Sequence, residues 1–181
     1  KYLSNVISDD TVPPDLLDTY IEEGPKMVDF LHDHTRVRYE SLEHYPDYYS
    51  DAPGARGGHR SMEPAKLRRS DLGDDWDKLR ETHQMMWLFG RVAYNQVEAG
   101  ILAARAPGWF QLAFKLILQY IVDIPWLFKS ARSRIIACGM AGIARFRLSM
   151  KDRDMPLWLN TALKELVTDD SGKVVGAVIE R

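Results

Sequence analysis

The chain has 181 residues, of which 45% are hydrophobic and 28% charged, with 24 basic against 26 acidic side chains. This composition excludes a disordered or collagen-like chain, and a formal net charge of −2 excludes the strong basic field that nucleic-acid binders use. The charge is uneven, since residues 1–100 carry 12 basic and 19 acidic side chains while residues 101–181 carry 12 and 7.

One cysteine, Cys138, cannot close an internal disulfide or build a multi-cysteine zinc site, which points to a reducing compartment. The sequence opens at Lys1-Tyr2-Leu3-Ser4 without a secretory signal and closes at Val178-Ile179-Glu180-Arg181 inside a strand-like run. An internal piece of a longer protein is therefore expected.

Pro13-Pro14-Asp15 reads as a helix start, with proline tolerated in the first turn and Asp15 complementing the positive end of the helix dipole. Leu17, Tyr20, Ile21, Met27, Val28 and Leu31 follow at helical spacing, and Gly24-Pro25 predicts a kink or two short helices. Residues 35–74 lack periodicity, and their tyrosines (Tyr39, Tyr45, Tyr48 and Tyr49) favour a long ordered loop over a disordered linker. Asp74-Asp75 then predicts the cap of a helix reaching about Ala104, with Leu79, Met86, Phe89, Ala93, Val97 and Ile101 on its core side.

After the breaker Ala106-Pro107-Gly108, residues 109–128 form the most hydrophobic stretch. Gln111, Lys115, Gln119 and Asp123 recur in it every four residues, one polar stripe on a wide-faced amphipathic helix. A membrane-spanning helix is disfavoured, because a Lys and an Asp would each cost about 2.5–3.5 kcal/mol in the bilayer. The flanks are basic at Arg105, Lys129, Arg132 and Arg134, so the helix suits either an anionic membrane surface or packing against further protein. Ile136, Met140, Ile143, Phe146 and Met150 mark a last helix, ended by Asp154-Met155-Pro156. Leu157-Trp158-Leu159 and residues 162–167 read as strands. Asp169-Asp170-Ser171-Gly172-Lys173 is a turn into a partner strand over 174–180, completing a β-hairpin.

Three motifs carry a resemblance. Tyr20-Ile21-Glu22-Glu23-Gly24-Pro25 is the first. The second, and the specific one, runs from Pro46-Asp47-Tyr48-Tyr49 through Ala52-Pro53-Gly54-Ala55 to Arg60-Ser61-Met62-Glu63-Pro64. The third joins Leu157-Trp158-Leu159-Asn160-Thr161 to Gly172-Lys173-Val174-Val175-Gly176. Together they resemble the flavin-dependent 3-ketosteroid 1-dehydrogenases of the succinate dehydrogenase/fumarate reductase flavoprotein family, over roughly residues 1–70 and 139–181.

The resemblance implies an α+β internal fragment of an FAD-binding domain, mostly helical and followed by a small antiparallel β-hairpin. It divides into residues 1–74 (helix and tyrosine-rich loop), 75–134 (a helical insertion) and 135–181 (helix and hairpin). The implied reaction is 1,2-desaturation of ring A in a 3-keto steroid. Tyr48 is then the catalytic-site tyrosine that hydrogen-bonds toward a base elsewhere in the protein, and Tyr48 with Tyr49 would bind substrate. A neutral phenol suits an apolar substrate, beside which a carboxylate would be strongly desolvated.

The same resemblance makes Ala162 a backbone contact for the adenine of FAD. FAD belongs to the full-length parent, since no G-x-G-x-x-G occurs here, and the chain alone is expected empty and inactive. The implied partners are a steroid, the rest of the polypeptide and a membrane surface. The implied location is cytoplasmic, in solution or peripheral on the inner face of the cell membrane. Another flavoprotein oxidoreductase of the same family, or a non-catalytic helical module binding a membrane or hydrophobic partner, is the alternative.

The remaining chemistry-bearing residues read as structural. His32 and His34 point to different sides of a helix end and make no metal site, and Cys138 is a buried inert thiol. Arg145, Arg147, Lys151 and Arg153 form a solvated helix face. His59 interrupts the family's Gly-Gly-Arg-Ser run, which places the backbone role of that turn in question.

Overall fold

A computed structural model describes residues 1–7, 11–130 and 132–181. They divide into two units, residues 1–149 and 150–181. In the first, α1 (Leu3–Val6) and α2 (Pro14–His34) precede the antiparallel pair β1 (Tyr39–Ser41) and β2 (Met62–Pro64), in which Tyr39 faces Pro64 and Ser41 faces Met62. Next come β3 (Leu67–Arg68), α3 (Arg69–Leu72) and a 3-10 turn over Gly73–Lys78. The short pair β4 (Trp87–Leu88) and β5 (Val92–Ala93) leads into α4 (Gln96–Ala104), α5 (Trp109–Val122) and α6 (Ile124–Leu127). Finally β6 (Ile135–Ile136) returns to pair with β3, and α7 (Cys138–Lys151) follows.

The core is small. Leu67, Leu72, Trp76, Ile136, Ala141 and Ala144 are buried together, with Leu79, Met140 and Leu148 packed against them. Polar bonds extend from this core to the loop region. Arg147 Nε donates to the buried Asp75 carboxylate at 2.7 Å, and Lys78 Nζ donates to its other oxygen at 2.6 Å. The Lys78 bond, aided by Arg147, holds the Asp75 carboxyl below its ordinary range. Arg145 donates to the carbonyls of Ala65 (2.9 Å), Lys66 (2.8 Å) and Arg36 (3.1 Å), and Ser149 Oγ accepts from Arg36 N–H at 2.9 Å. A Cβ at Gly142 would lie 3.1 Å from the Pro64 ring, so α7 and β2 touch closely. Helix α7 thereby fixes both ends of the β1–β2 segment.

In the second unit β7 (Ala162–Thr168) and β8 (Val174–Glu180) form a hairpin with irregularities near Lys164 and Val175. Its turn is closed by Asp169, whose carboxylate accepts from Ser171 Oγ and from the Ser171 and Lys173 amides. Those bonds, the Ser171 hydroxyl first, keep its pKa below the ordinary value. The register brings Leu163, Leu166, Val175, Ala177 and Ile179 to one face.

Several sequence expectations need correction. Instead of one hairpin after a helical segment, four two-stranded antiparallel pairs lie among the described residues. The helix expected from Asp74-Asp75 to Ala104 does not form. Phe89 (φ 52°) and Gly90 (φ 70°) make a left-handed turn between β4 and β5, with Arg91 N–H bonded to the Leu88 carbonyl. A new helix starts at Asn95, whose Oδ1 accepts from Glu98 N–H while Glu98 Oε2 accepts from Asn95 N–H.

By contrast, α2 runs unbroken through Pro25. The proline removes the N–H that would reach the Ile21 carbonyl, and on this exposed helix that carbonyl can turn to water. Residues 157–159 form no strand. Arg145 and Arg147 are anchored rather than merely solvated, and His32 Nε2 accepts from Tyr39 N–H at 2.9 Å. Cys138 is half-buried at φ 54°, and burial raises its thiol pKa.

Candidate functional site

The β1–β2 connection, residues 42–61, carries the Pro46-Asp47-Tyr48-Tyr49 motif. Few apolar side chains are available to hold it, so its order comes from polar bonds. Asp47 is the hub, its carboxylate Oδ2 accepting from Arg56 N–H at 2.8 Å and from Arg60 Nε at 2.7 Å, with 7% of its side chain exposed. Asp47 N–H donates back to the Arg56 carbonyl at 3.0 Å. Arg60 also donates to the Gly54 carbonyl and stacks its guanidinium 4.9 Å over the buried Tyr2 ring. Tyr2 Oη in turn accepts from Tyr49 N–H at 3.3 Å.

The loop's other end is clamped to β1. Leu42 N–H donates to the Ser61 carbonyl, and His59 N–H donates to the Leu42 carbonyl at 2.8 Å. A Cβ at Gly58 would lie 1.7 Å from the Glu43 carbonyl oxygen, so only glycine fits. His59 stands at φ 63°, with Nδ1 3.0 Å from Ser41 Oγ. The turn is thus closed by backbone bonds with a histidine in its left-handed position.

This frame presents the two motif tyrosines outward: Tyr48 is 85% and Tyr49 65% exposed. Tyr48 Oη lies 2.9 Å from Tyr45 Oη, and the rings meet edge to face. Asp47, Arg60, Tyr2 and Tyr45 are site-building residues that sequence reasoning passed over. The signal for them was the Asp and Arg standing 13 positions apart within one family motif.

Ala162 lies in the other unit, at the start of β7. It borders an open concavity of about 550 Å³ walled also by Asn160, Thr161, Glu180 and Arg181. Two of the helix starts are closed to a phosphate group. At the start of α4 the Gln96 and Val97 amides already bind the buried Glu63 carboxylate, at 2.9 and 3.3 Å, and α2 opens with Pro13-Pro14.

Helix α5 is the apolar segment anticipated over 109–128, ended at Asp123 ahead of Pro125. No helix among the described residues is long and apolar enough to cross a membrane. Leu116 is buried at 2% exposure, whereas Phe110, Phe114, Ile117, Leu118, Ile121 and Val122 form an exposed stripe. Lys115, Gln119 and Asp123 line an open cavity of about 1240 Å³ together with Arg68, Arg69 and Arg134. Two of the four basic flanks are engaged within the protein. Arg132 pairs with Glu81 at 3.0 Å, and Arg134 pairs with Asp123 at 3.1 Å while covering the Trp126 ring.

Comparison with known families matches the whole chain, residues 1–181, to the FAD binding domain. The chain belongs to the FAD binding domain family. Within that family it is 32% identical over 167 residues to the 3-oxosteroid 1-dehydrogenase of Comamonas testosteroni, covering 90% of this chain and 28% of that protein. The 3-oxosteroid 1-dehydrogenase of Mycolicibacterium smegmatis is 29% identical over 181 residues, or 99% of this chain and 30% of that protein. The crystal structure of 3-ketosteroid delta1-dehydrogenase from Sterolibacterium denitrificans in complex with 1,4-androstadiene-3,17-dione superposes with a TM-score of 0.81 at 35% identity. That match covers 92% of this chain and 30% of the solved one. This FAD-binding-domain chain thus spans about 30% of the length of the relatives it matches.

Proposed function

We propose that the full-length protein carrying this chain desaturates ring A of 3-keto steroids between carbons 1 and 2, with Tyr48 in the steroid site. The observation that carries this reading is the motif loop itself: a polar frame centred on Asp47 that spends its buried bonds on presenting Tyr48 and Tyr49 to solvent. Catalytic groups on a loop held rigid by its scaffold are the usual design of an active site. The relatives' names and the steroid bound in the Sterolibacterium structure supply the substrate class.

A base outside this chain takes the proton from carbon 2, and Tyr48 Oη offers that base a hydrogen bond. A bound FAD would supply the acceptor for the hydride leaving carbon 1. Tyr49 lines the steroid, and the Ala162 backbone meets the adenine. The chain alone binds FAD weakly or not at all, because it carries no G-x-G-x-x-G phosphate-binding turn. The test is Tyr48→Phe in the full-length enzyme. Turnover should fall about 10- to 100-fold with the flavin retained. Full activity in Tyr48→Phe with loss in Tyr49→Phe would reject Tyr48, and no 1,2-desaturated steroid from the wild type would favour another oxidoreductase of the family.

A second reading concerns location, a cytoplasmic enzyme peripheral to the inner face of the cell membrane. The exposed α5 stripe, extended by Phe128 at 88% exposure and flanked by Arg105 and Lys129, favours an anionic membrane surface as what covers it. Binding of the full-length protein to anionic vesicles should weaken with salt and with Arg105→Glu/Lys129→Glu. No sedimentation with vesicles at low salt would leave protein packing as the explanation of the stripe.

A further inference from the structure

Tyr45 stands three residues before the motif tyrosine and is half-buried, whereas the Tyr48 ring is 85% exposed. A ring that exposed has no packing to choose its rotamer. The contact that gives its hydroxyl a direction is the 2.9 Å bond to Tyr45 Oη, supported by the edge-to-face approach of the two rings at 6.2 Å and 85°. Two phenols sharing one hydrogen bond have two protons between them. One lies in the bond, and the other is left for the acceptor to give elsewhere.

We propose that Tyr45 is a positioning residue for Tyr48. It donates its O–H to Tyr48 Oη and so leaves the Tyr48 proton directed away from the loop, toward the space a substrate or a base would occupy. Local geometry favours this direction of donation. Tyr45 is the more enclosed partner, close to the Asp47–Arg56 bonds that fix the loop backbone, while Tyr48 projects outward and can still meet a further group. The bond to Tyr48 also raises the Tyr45 pKa from its ordinary value. The inference rests on the reading that places Tyr48 in the steroid site, and it adds how an exposed tyrosine is held ready there.

The experiment is a double-mutant cycle in the full-length, FAD-loaded enzyme, using Tyr45→Phe, Tyr48→Phe and the double variant. The substrate is the 1,2-saturated counterpart of 1,4-androstadiene-3,17-dione. Tyr45→Phe should lower kcat about 5- to 20-fold with KM within about twofold of the wild type, and should add less than about twofold in the Tyr48→Phe background. An unchanged kcat in Tyr45→Phe, with Tyr48→Phe impaired, overturns the positioning role and leaves the steroid-site reading standing. An unchanged kcat in Tyr48→Phe removes that reading and this inference with it. Independent, multiplying losses would mean that Tyr45 acts on its own, and a Tyr45→Phe enzyme that no longer retains flavin would make its role structural. Either result also overturns the proposal.

Discussion

The loop over residues 42–61 and helix α5 both face solvent, and they are held by opposite means. The loop is fixed by charge-assisted bonds around Asp47 and by backbone bonds to the buried Leu42. Helix α5 has a regular backbone, yet it buries only Leu116 fully and turns seven large apolar side chains outward. An aperiodic segment can thus be the better determined of the two. Polar networks specify direction, whereas an amphipathic helix specifies only that something apolar must cover it.

The most damaging substitution should be Gly58→Ala, because its Cβ cannot share space with the Glu43 carbonyl and the loop backbone must move. A loss of about 3 kcal/mol or more in chemical denaturation is expected. A loss under about 1 kcal/mol would show that the loop is softer than its bonds imply. Next, Leu116→Ala should cost about 2–3 kcal/mol through the cavity it leaves, while Phe114→Ser on the same helix should cost under about 0.5 kcal/mol. Equal costs would mean that the outer face of α5 is already covered.

Asp75→Asn tests the ion pairs that join the 3-10 turn to α7 and should cost about 2 kcal/mol at pH 7, since it weakens the bonds to Arg147 and Lys78. The sign of its pH dependence follows from the depressed carboxyl. Its stabilisation is complete above the unfolded value near about 4 and is lost as pH falls through the lower folded value. Acid titration of stability should therefore be flatter below about pH 4 in the variant, and identical acid limbs would argue against the pairing. The smallest effect is a gain: His59→Gly relieves the left-handed conformation and should stabilise by about 0.5 kcal/mol after losing the Ser41 contact. A destabilised variant would make that contact the stronger influence.

The sequence announced the hairpin over residues 162–180, the tyrosine motif and the apolar helix after Gly108, because each repeats a local rule over enough residues to be read. It misled between Leu79 and Ile101, where apolar residues fall at helical spacing by coincidence. Gly90 and the Asn95-x-x-Glu98 pattern were the local signals that override that spacing. Strands of two or three residues, such as β1 and β2, are shorter than any periodicity can register. Tyr48 was recognisable from its motif. Its partners were not, since the Asp47–Arg60 and Tyr2–Tyr49 contacts exist only once the loop has closed and α1 has met it.

The β7–β8 hairpin has a bearing on how the protein must be handled. Among the described residues it is two-stranded, with neither outer edge paired to a further strand and one face made of Leu163, Leu166, Val175, Ala177 and Ile179. Such ribbons are marginal alone in water, and their open edges invite a strand from another molecule. The irregularity near Lys164, and the ion pair Lys164 makes with Glu180, interrupt that edge at one end only. Self-association at high concentration should therefore begin along the β8 edge, where Val174, Val175 and Val178 run without a charged gatekeeper until Glu180.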